Sequence, residues 1–510
     1  MTKNTRISRH KRFLFILSLS IFSKNIQAQN QQGTGYPYFV NFTQGLQPQE
    51  AYKVSTSGVQ NDATFTTDGL RLTRSVNNTS GGVILADKIF KSDQGIKFEF
   101  EFAIYGGDTN GGDGISIFLV DGSIPKDQLN LGYFGGGLGY SFVRGKESTE
   151  GLRGAYLGIG LDEFGNFKTS FNQGERVRNG IFGVTLAGAR SNVSLRGKRG
   201  NQYLSSAEPG GYNGYPLLYV AATNVSPSST NRSAYLNPQT GAYVGIKNPT
   251  LQQFSIESGG NTIPQNENDV RFRKTYVKLI PNPSGGYNIT LEIQHGNVKE
   301  TIIDNYYYPT TLKYTETTIS NSTVRTLDTS PPPTFRIGFA ASTGAAKNIH
   351  LLKNLGVTRP YAAEVTDDLF TGCPGIKSTY SPLLNDAAYS GQNPPILSYN
   401  NLDFNSFRFL DINGNAIPNI VNGIYTNNEG TWTYFYSTGK LSFKPVTGFT
   451  GIAQIKYDIK GGGRNGAEAP YNLDEYRSMP ALIQVNISSS NNCSKACVIS
   501  NKNVTQQITR

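Results

Sequence analysis

The chain has 510 residues, too many for one compact core, so two or three domains are expected. Hydrophobic residues make up 37% and charged residues 16%, with 57 Gly, 29 Tyr and 28 Phe; this excludes a highly charged disordered chain and favours strands joined by turns. The net charge of +11 falls to +5 once the six basic residues before Ala28 are set aside, and no basic block interleaves with aromatics, so nucleic acid is not expected as a partner.

In chain order, basic MTKNTRISRHKR, apolar FLFILSLSIF (13–22) and IQA ending at Ala28 read as a signal peptide over 1–28. A secreted or cell-surface protein is therefore expected. The apolar run is too short to span a bilayer and no later stretch is long enough, so no transmembrane segment is expected in the mature chain. Residues 29–362 then read as strand after strand. In GIKFEFEFAI (95–104), Ile96, Phe98, Phe100, Phe102 and Ile104 share one face, with Lys97, Glu99 and Glu101 opposite, facing solvent. GISIFLV (114–120), AYLGIGL (155–161), TYVKLI (275–280), YNITLEIQ (287–294) and FRIGFAAS (335–342) follow, and PNPSGG makes a hairpin of the fourth and fifth of these six runs. Residues 197–265, rich in Gly, Asn and Ser, are expected to be elaborated loops. No amphipathic helix is evident, and many strands without helices predict a β-sandwich.

A junction is expected in TRPYAAEVTDD (358–368), with a linker at 363–372. A second β domain should occupy 373–488, where Trp432, Tyr434 and Tyr436 alternate before a turn and Leu441 and Phe443, predicting a hairpin. Residues 489–510 read as a flexible tail. The three cysteines are Cys373, Cys493 and Cys497; export favours a disulfide, with Cys373 joined to one of the tail cysteines.

Four short pieces carry the chemistry: GGDGISIFLV (111–120), FGGGLGYSF (134–142), LGIGLDEFGNF (157–167) and IGFAASTGAAKNIHLLKNLGV (337–357). In this order they resemble the L-type (legume-like) lectins and their bacterial surface relatives, over most of residues 35–360. The resemblance implies an all-β fold, a concanavalin A-like jelly-roll sandwich, in which four loops at one edge of a concave sheet hold one sugar. On that basis Asp113 accepts from two sugar hydroxyls, Gly136 or Gly137 offers a backbone N–H, Phe164 stacks on the sugar, Asn166 donates to it, and Ala345 and Ala346 form the fourth loop. The resemblance also implies calcium, held by Asp162, the Phe164 carbonyl and the Asn166 side chain, and a cis peptide at Gly112–Asp113. Plant members use a Glu for a transition metal where this chain has Gly160, so no transition metal is expected. Their second bridging Asp is replaced by Thr169, which leaves Glu163 or Glu175 as substitutes by guess and weak calcium affinity as the expectation.

Simpler structural readings accompany these. Asp113, Asp162 and Asn166 are also turn formers, Gly135 to Gly137 also suit a bulge, and Phe164 also suits a core. His350 is expected to be structural and Lys347 solvated, as is the cluster Arg190, Arg196, Lys198 and Arg199, with acidic-glycan binding as an outside reading. The second domain, through SPLLNDAAYSG (381–391), GTWTYFYSTGKLSFKP (430–445) and GFTGIAQIKYDI (448–459), resembles CshA-type fibril repeats and Ig-like modules of bacterial adhesins, which implies a smaller Ig-like β-sandwich acting as a spacer. The reading is an exported, non-enzymatic carbohydrate-binding adhesin. The alternative is a structural surface protein whose lectin-like domain binds protein, and glycoside hydrolysis is a minor one, because no paired-carboxylate pattern stands on a core strand.

Overall fold

The computed structural model describes residues 33–55, 60–108, 111–142, 150–168, 189–204, 211–228, 232–247, 250–317, 322–391, 395–489 and 493. The expected signal peptide, Thr169, Glu175, Cys497 and most of the expected tail lie outside them. The described chain is all-β, with only short 3-10 turns of helix. None of its helices is long and apolar enough to cross a membrane.

Two large sheets face each other across the first domain. One, ten-stranded, runs Tyr243–Ile246, Ser233–Leu236, Leu217–Ala222, Asn192–Arg196, Ala155–Asp162, Gly114–Asp121, Thr334–Ser342, Ser80–Leu85 and Ala51–Lys53, with Phe90–Lys91 paired to the strand at 334–342. The other, nine-stranded, is centred on Ile96–Tyr105. The alternation of 95–104 does what the sequence predicts: Ile96, Phe98, Phe100, Phe102 and Ile104 are all buried. Phe100 meets Phe339 of the opposite sheet edge-on, with ring centroids 6.2 Å apart. The expected hairpin pairs Thr275 with Ile293 and Pro281 with Tyr287.

Residues 197–265 depart from expectation. They contribute the strands Leu217–Ala222, Ser233–Leu236 and Tyr243–Ile246, which widen the first sheet, and the ribbon Arg199–Leu204 with Gly211–Gly214. Leu217–Ala222 is buried throughout, so its LLYVAA run has no alternation to advertise it. A second cluster of side chains, including Leu138, Tyr140, Phe142, Phe167 and Tyr215, packs on this sheet. Tyr140 lies directly over Gly158 and Phe167 over Gly160, so neither glycine has room for a side chain.

The second domain is a sandwich of two four-stranded sheets, one of Asp368–Gly372, Ala481–Ile487, Gly451–Lys460 and Asp403–Leu410, the other of Ser378–Tyr380, Lys440–Pro445, Gly430–Phe435 and Ile424–Thr426. Its hairpin pairs Trp432 with Phe443, as expected, and Trp432 is fully buried. Phe407 stacks between Tyr434 and Tyr457, with centroids 3.8 and 5.1 Å away. The expected linker 363–372 needs correction. Asp368–Gly372 is a strand pairing in parallel with Ala481–Ile487, and Glu364 bridges to Ala387, so the second domain begins near residue 363. Cys373 is bonded to Cys493, with Cα atoms 5.7 Å apart, which resolves the open pairing.

The domains are in close contact. Met479 packs against Gly356, and Lys97 reaches Glu364 at 3.1 Å. Glu99 and Glu101 are therefore not simply solvent-facing. They are half-buried at this face and tied to Lys274 at 2.7 Å and Lys353 at 3.5 Å.

Candidate functional site

The strands Ala155–Asp162, Gly114–Asp121 and Thr334–Ser342 are neighbours, and their ends lie level: Gly114 pairs with both Asp162 and Ser342. Asp113 therefore enters the sheet between two flanking strand ends. The Gly112–Asp113 peptide is cis, as the resemblance implied. The Asp113 backbone N–H donates to the Ser342 carbonyl at 2.8 Å, and its carbonyl accepts from the Phe164 N–H at 3.0 Å. The residue is 6% exposed, and its carboxylate accepts from Ser342 Oγ at 3.1 Å. Burial pushes this carboxyl up to about 6, while the Ser342 hydroxyl pulls it back down.

The glycine loop stands beside it as a 3-10 turn over Gly135–Gly137. The Gly135 N–H is committed to Ser342 Oγ at 2.9 Å. Gly136 sits in the first turn, where a backbone N–H has no intrahelical partner. Gly137 is buried. From the fourth loop, Gly344 comes so close that a Cβ there would stand 3.5 Å from Asp113 Oδ1. Ala346 is buried and Ala345 exposed; the Ala345 carbonyl accepts from Asn77 Nδ2 at 2.6 Å. A Cβ on Gly112 would lie 3.2 Å from the Ala346 methyl and 3.4 Å from Phe164 Cβ, so Gly112 brings those two residues together. The structure thus gathers Asp113, Gly136, Ala346 and Phe164 at one rim. Asn166 is half-buried on the Phe164 turn, and Lys347 is half-buried rather than fully solvated.

Phe164 is 39% exposed and so is not core. The Arg190 guanidinium lies 5.0 Å from its ring centroid, and Arg190 Nη2 donates to the Gly111 carbonyl at 3.2 Å. Arg190 therefore belongs to the rim. Arg196 is fully buried and donates to the carbonyls of Phe167 and Tyr215 at 2.7 to 2.9 Å. The expectation of a solvated basic loop fails for these two: their guanidinium forks serve backbone carbonyls that the sheet leaves unpaired. His350 is structural, as expected; it is buried, 2.6 Å from Thr73 Oγ1, and burial pushes its pKa down to about 3.

The expected calcium donors Asp162, Phe164 and Asn166 lie together on one turn. Both Asp162 oxygens are engaged by the turn itself, accepting from the Gly165 N–H at 2.8 Å and the Phe167 N–H at 2.9 Å. The buried Lys168 ammonium donates to the Ala189 carbonyl, 21 residues further along the chain, and feels the Asp162 charge. Glu163 faces away from this turn, towards Gly111, with Glu257 raising its pKa after burial has, to about 8. Among the described residues no group of three or more His, Cys, Asp and Glu converges as a metal site. Phe167 over Gly160 fills the place of a transition-metal Glu. Sequence reasoning gave no role to Ser342 and Lys168 and read Arg190 as part of a solvated cluster. Of these only Ser342 had a local signal, in the small-residue run AASTG at the end of a buried strand.

No protein-family model matches the chain, and no curated protein matches it. Solved structures to which it is similar include the exoplasmic/lumenal domain of VIP36 in a Ca2+/Man3GlcNAc-bound form, at 11% identity over 63% of this chain and 89% of that one, with a TM-score of 0.31. A legume lectin-like domain from Entamoeba histolytica is similar at 11% identity over 63% and 96%, with a TM-score of 0.30. Metal-free lectin I-B4 from Griffonia simplicifolia is similar at 9% identity over 63% and 98%, with a TM-score of 0.32.

Proposed function

We propose that the first domain binds a carbohydrate at the rim around Asp113, and that the second holds it away from the surface to which the exported chain is attached, making an adhesin. The observation that carries this reading is one arrangement. A buried carboxylate, a first-turn backbone N–H and a partly exposed aromatic ring meet at three level strand ends. A carboxylate accepts from two hydroxyls of a diol, an N–H donates to a third oxygen, and a ring covers the apolar C–H face. No step of this reading runs through calcium.

Binding rather than hydrolysis is the better account. Glu99 and Glu101 are engaged by Lys274 and Lys353 on the sheet face turned to the second domain, away from the rim around Asp113. Two outcomes test the site. Phe164→Ala is expected to weaken sugar binding by about 1 kcal/mol, roughly fivefold, in calorimetric titration. A full-strength Phe164→Ala chain would remove the ring from the site. The ionised Asp113 is the form that accepts from a diol, and its pKa is about 6, so lowering the pH depletes it. Affinity is therefore expected to fall about tenfold from about pH 7.5 to about pH 5, a dependence that Asp113→Asn abolishes.

A further inference from the structure

We propose that the first domain carries a second, weak saccharide subsite on its side, in a tyrosine-walled cavity between the edges of its two sheets, and that this subsite takes units of a neutral glycan. The inference goes beyond the rim reading and uses none of the rim's residues.

The wall of the cavity is aromatic. Tyr219 and Tyr235 pair directly across the adjacent strands Leu217–Ala222 and Ser233–Leu236, so their side chains share one face. Tyr306 comes from Val298–Tyr308, the edge strand of the other sheet, and meets both rings at centroid distances of 6.1 and 6.2 Å. Its hydroxyl donates to the Leu236 carbonyl at 3.0 Å, which ties the two sheets together here. Beside these rings lies a cavity of about 390 Å³, within the range of small-molecule sites.

The edge strand is bent at this cavity. Ile289 pairs with Tyr306 and Leu291 with Ile303, so Asp304 and Asn305 together oppose Thr290 in a bulge. Asn305 has φ +50° within it. A bulge re-aims side chains, and both of these polar residues line the cavity and are exposed. The Asp304 charge reaches the wall: burial pushes the Tyr219 hydroxyl up to about 12, and Asp304 adds to the rise. A carboxylate and an amide beside the half-buried Tyr235 ring offer partners for sugar hydroxyls and a surface for a C–H face. The charged residues that line the cavity, Asp304 and Lys247, are opposite in sign, which suits a neutral saccharide better than an acidic one. Four strand steps of about 4.8 Å, about 19 Å in all, separate the strand of Tyr235 from that of Gly114, so one short sugar does not fill both places. With few ring contacts and exposed polar groups, the dissociation constant is expected to be on the order of a millimolar. That is too weak to hold a glycan on an array alone, but it strengthens a long glycan already anchored at the rim.

The test uses the full chain carrying Asp113→Asn, which disables the rim, with Tyr235→Trp added as a reporter. The sequence has one Trp, Trp432, fully buried in the second domain, so a change in emission on binding reports the cavity. The probes are linear tetrasaccharides of glucose, mannose, galactose and xylose at millimolar concentrations. At least one is expected to shift the emission saturably, with no shift in the Asp113→Asn chain that lacks the reporter. Adding Asp304→Ala, at an exposed position where the fold should not depend on it, is expected to weaken the response at least about fivefold. Calorimetric titration of Asp113→Asn with and without Tyr235→Ala checks the same loss without a reporter. No response to any of the four probes overturns the proposal, and so does a response that Asp304→Ala and Tyr235→Ala leave unchanged in chains that melt as before. A response here without any Asp113-dependent binding by the wild-type chain upholds the subsite and sinks the rim reading. Asp113-dependent binding without a response here does the reverse.

Discussion

Asp113→Asn is expected to weaken carbohydrate binding by at least about a hundredfold, some 3 kcal/mol, while leaving the melting temperature within a few degrees of wild type. The size follows from what the carboxylate does. A charged acceptor is worth about 1.5–3 kcal/mol for each hydrogen bond it receives, and a diol offers two. Asn retains one acceptor oxygen and replaces the other with an NH2 that faces a hydroxyl already donating. The fold should tolerate the change, because the structural bonds of this residue are made by its backbone, to Ser342 and Phe164. The side chain has one protein bond, from Ser342 Oγ, which an Asn oxygen also accepts. Calorimetric titration with the sugar class that binds, beside a melting curve, separates the two effects. Equal affinity for both chains would place the sugar elsewhere.

Arg359→Ala is expected to destabilise the protein by about 3–5 kcal/mol and to loosen the junction between the domains. Arg359 is 1% exposed at its side chain and unites groups from both sides. From the first domain it meets the carbonyls of Lys91 and Gly95 at 3.1 and 3.3 Å, the Asp93 carboxylate at 3.1 Å and the Tyr36 ring at 4.4 Å. From the second it meets Glu475 in two bonds of 2.9 and 3.0 Å. Removing it leaves Glu475 without its donor, and the two carbonyls with only the Tyr36 hydroxyl, in a place water reaches poorly. Lysine does not substitute, because one ammonium cannot span the fork, so Arg359→Lys should lose most of the same stability. Chemical denaturation, with limited proteolysis to find cleavage near residue 363, checks this. An unchanged unfolding midpoint for Arg359→Ala would mean that the domains are held by other contacts.

What the sequence revealed, and what it hid, follows from how far apart the determining contacts lie. The strand at 96–105 declared itself because alternation is local, whereas Asp113, Phe164 and Ala346 were placed only by the resemblance that the four short pieces carry. Leu217–Ala222 was hidden among glycines and serines, and its burial on both faces removes the period that marks a strand. Asp368–Gly372 read as linker because its partner strand, Ala481–Ile487, lies more than a hundred residues away. Arg196 and Lys168 were the least legible. A charge in a polar stretch reads as solvated, and only the assembled sheet shows the carbonyls of Phe167, Tyr215 and Ala189 that bring these two inside.

The most direct test of the central claim is a glycan array probed with the full chain and, in parallel, with Asp113→Asn. The account predicts that the wild-type chain binds a defined set of glycans sharing one terminal sugar, and that the variant, equally folded, binds none of them. A folded wild-type chain that binds no glycan, or a variant that gives the wild-type pattern, would contradict it.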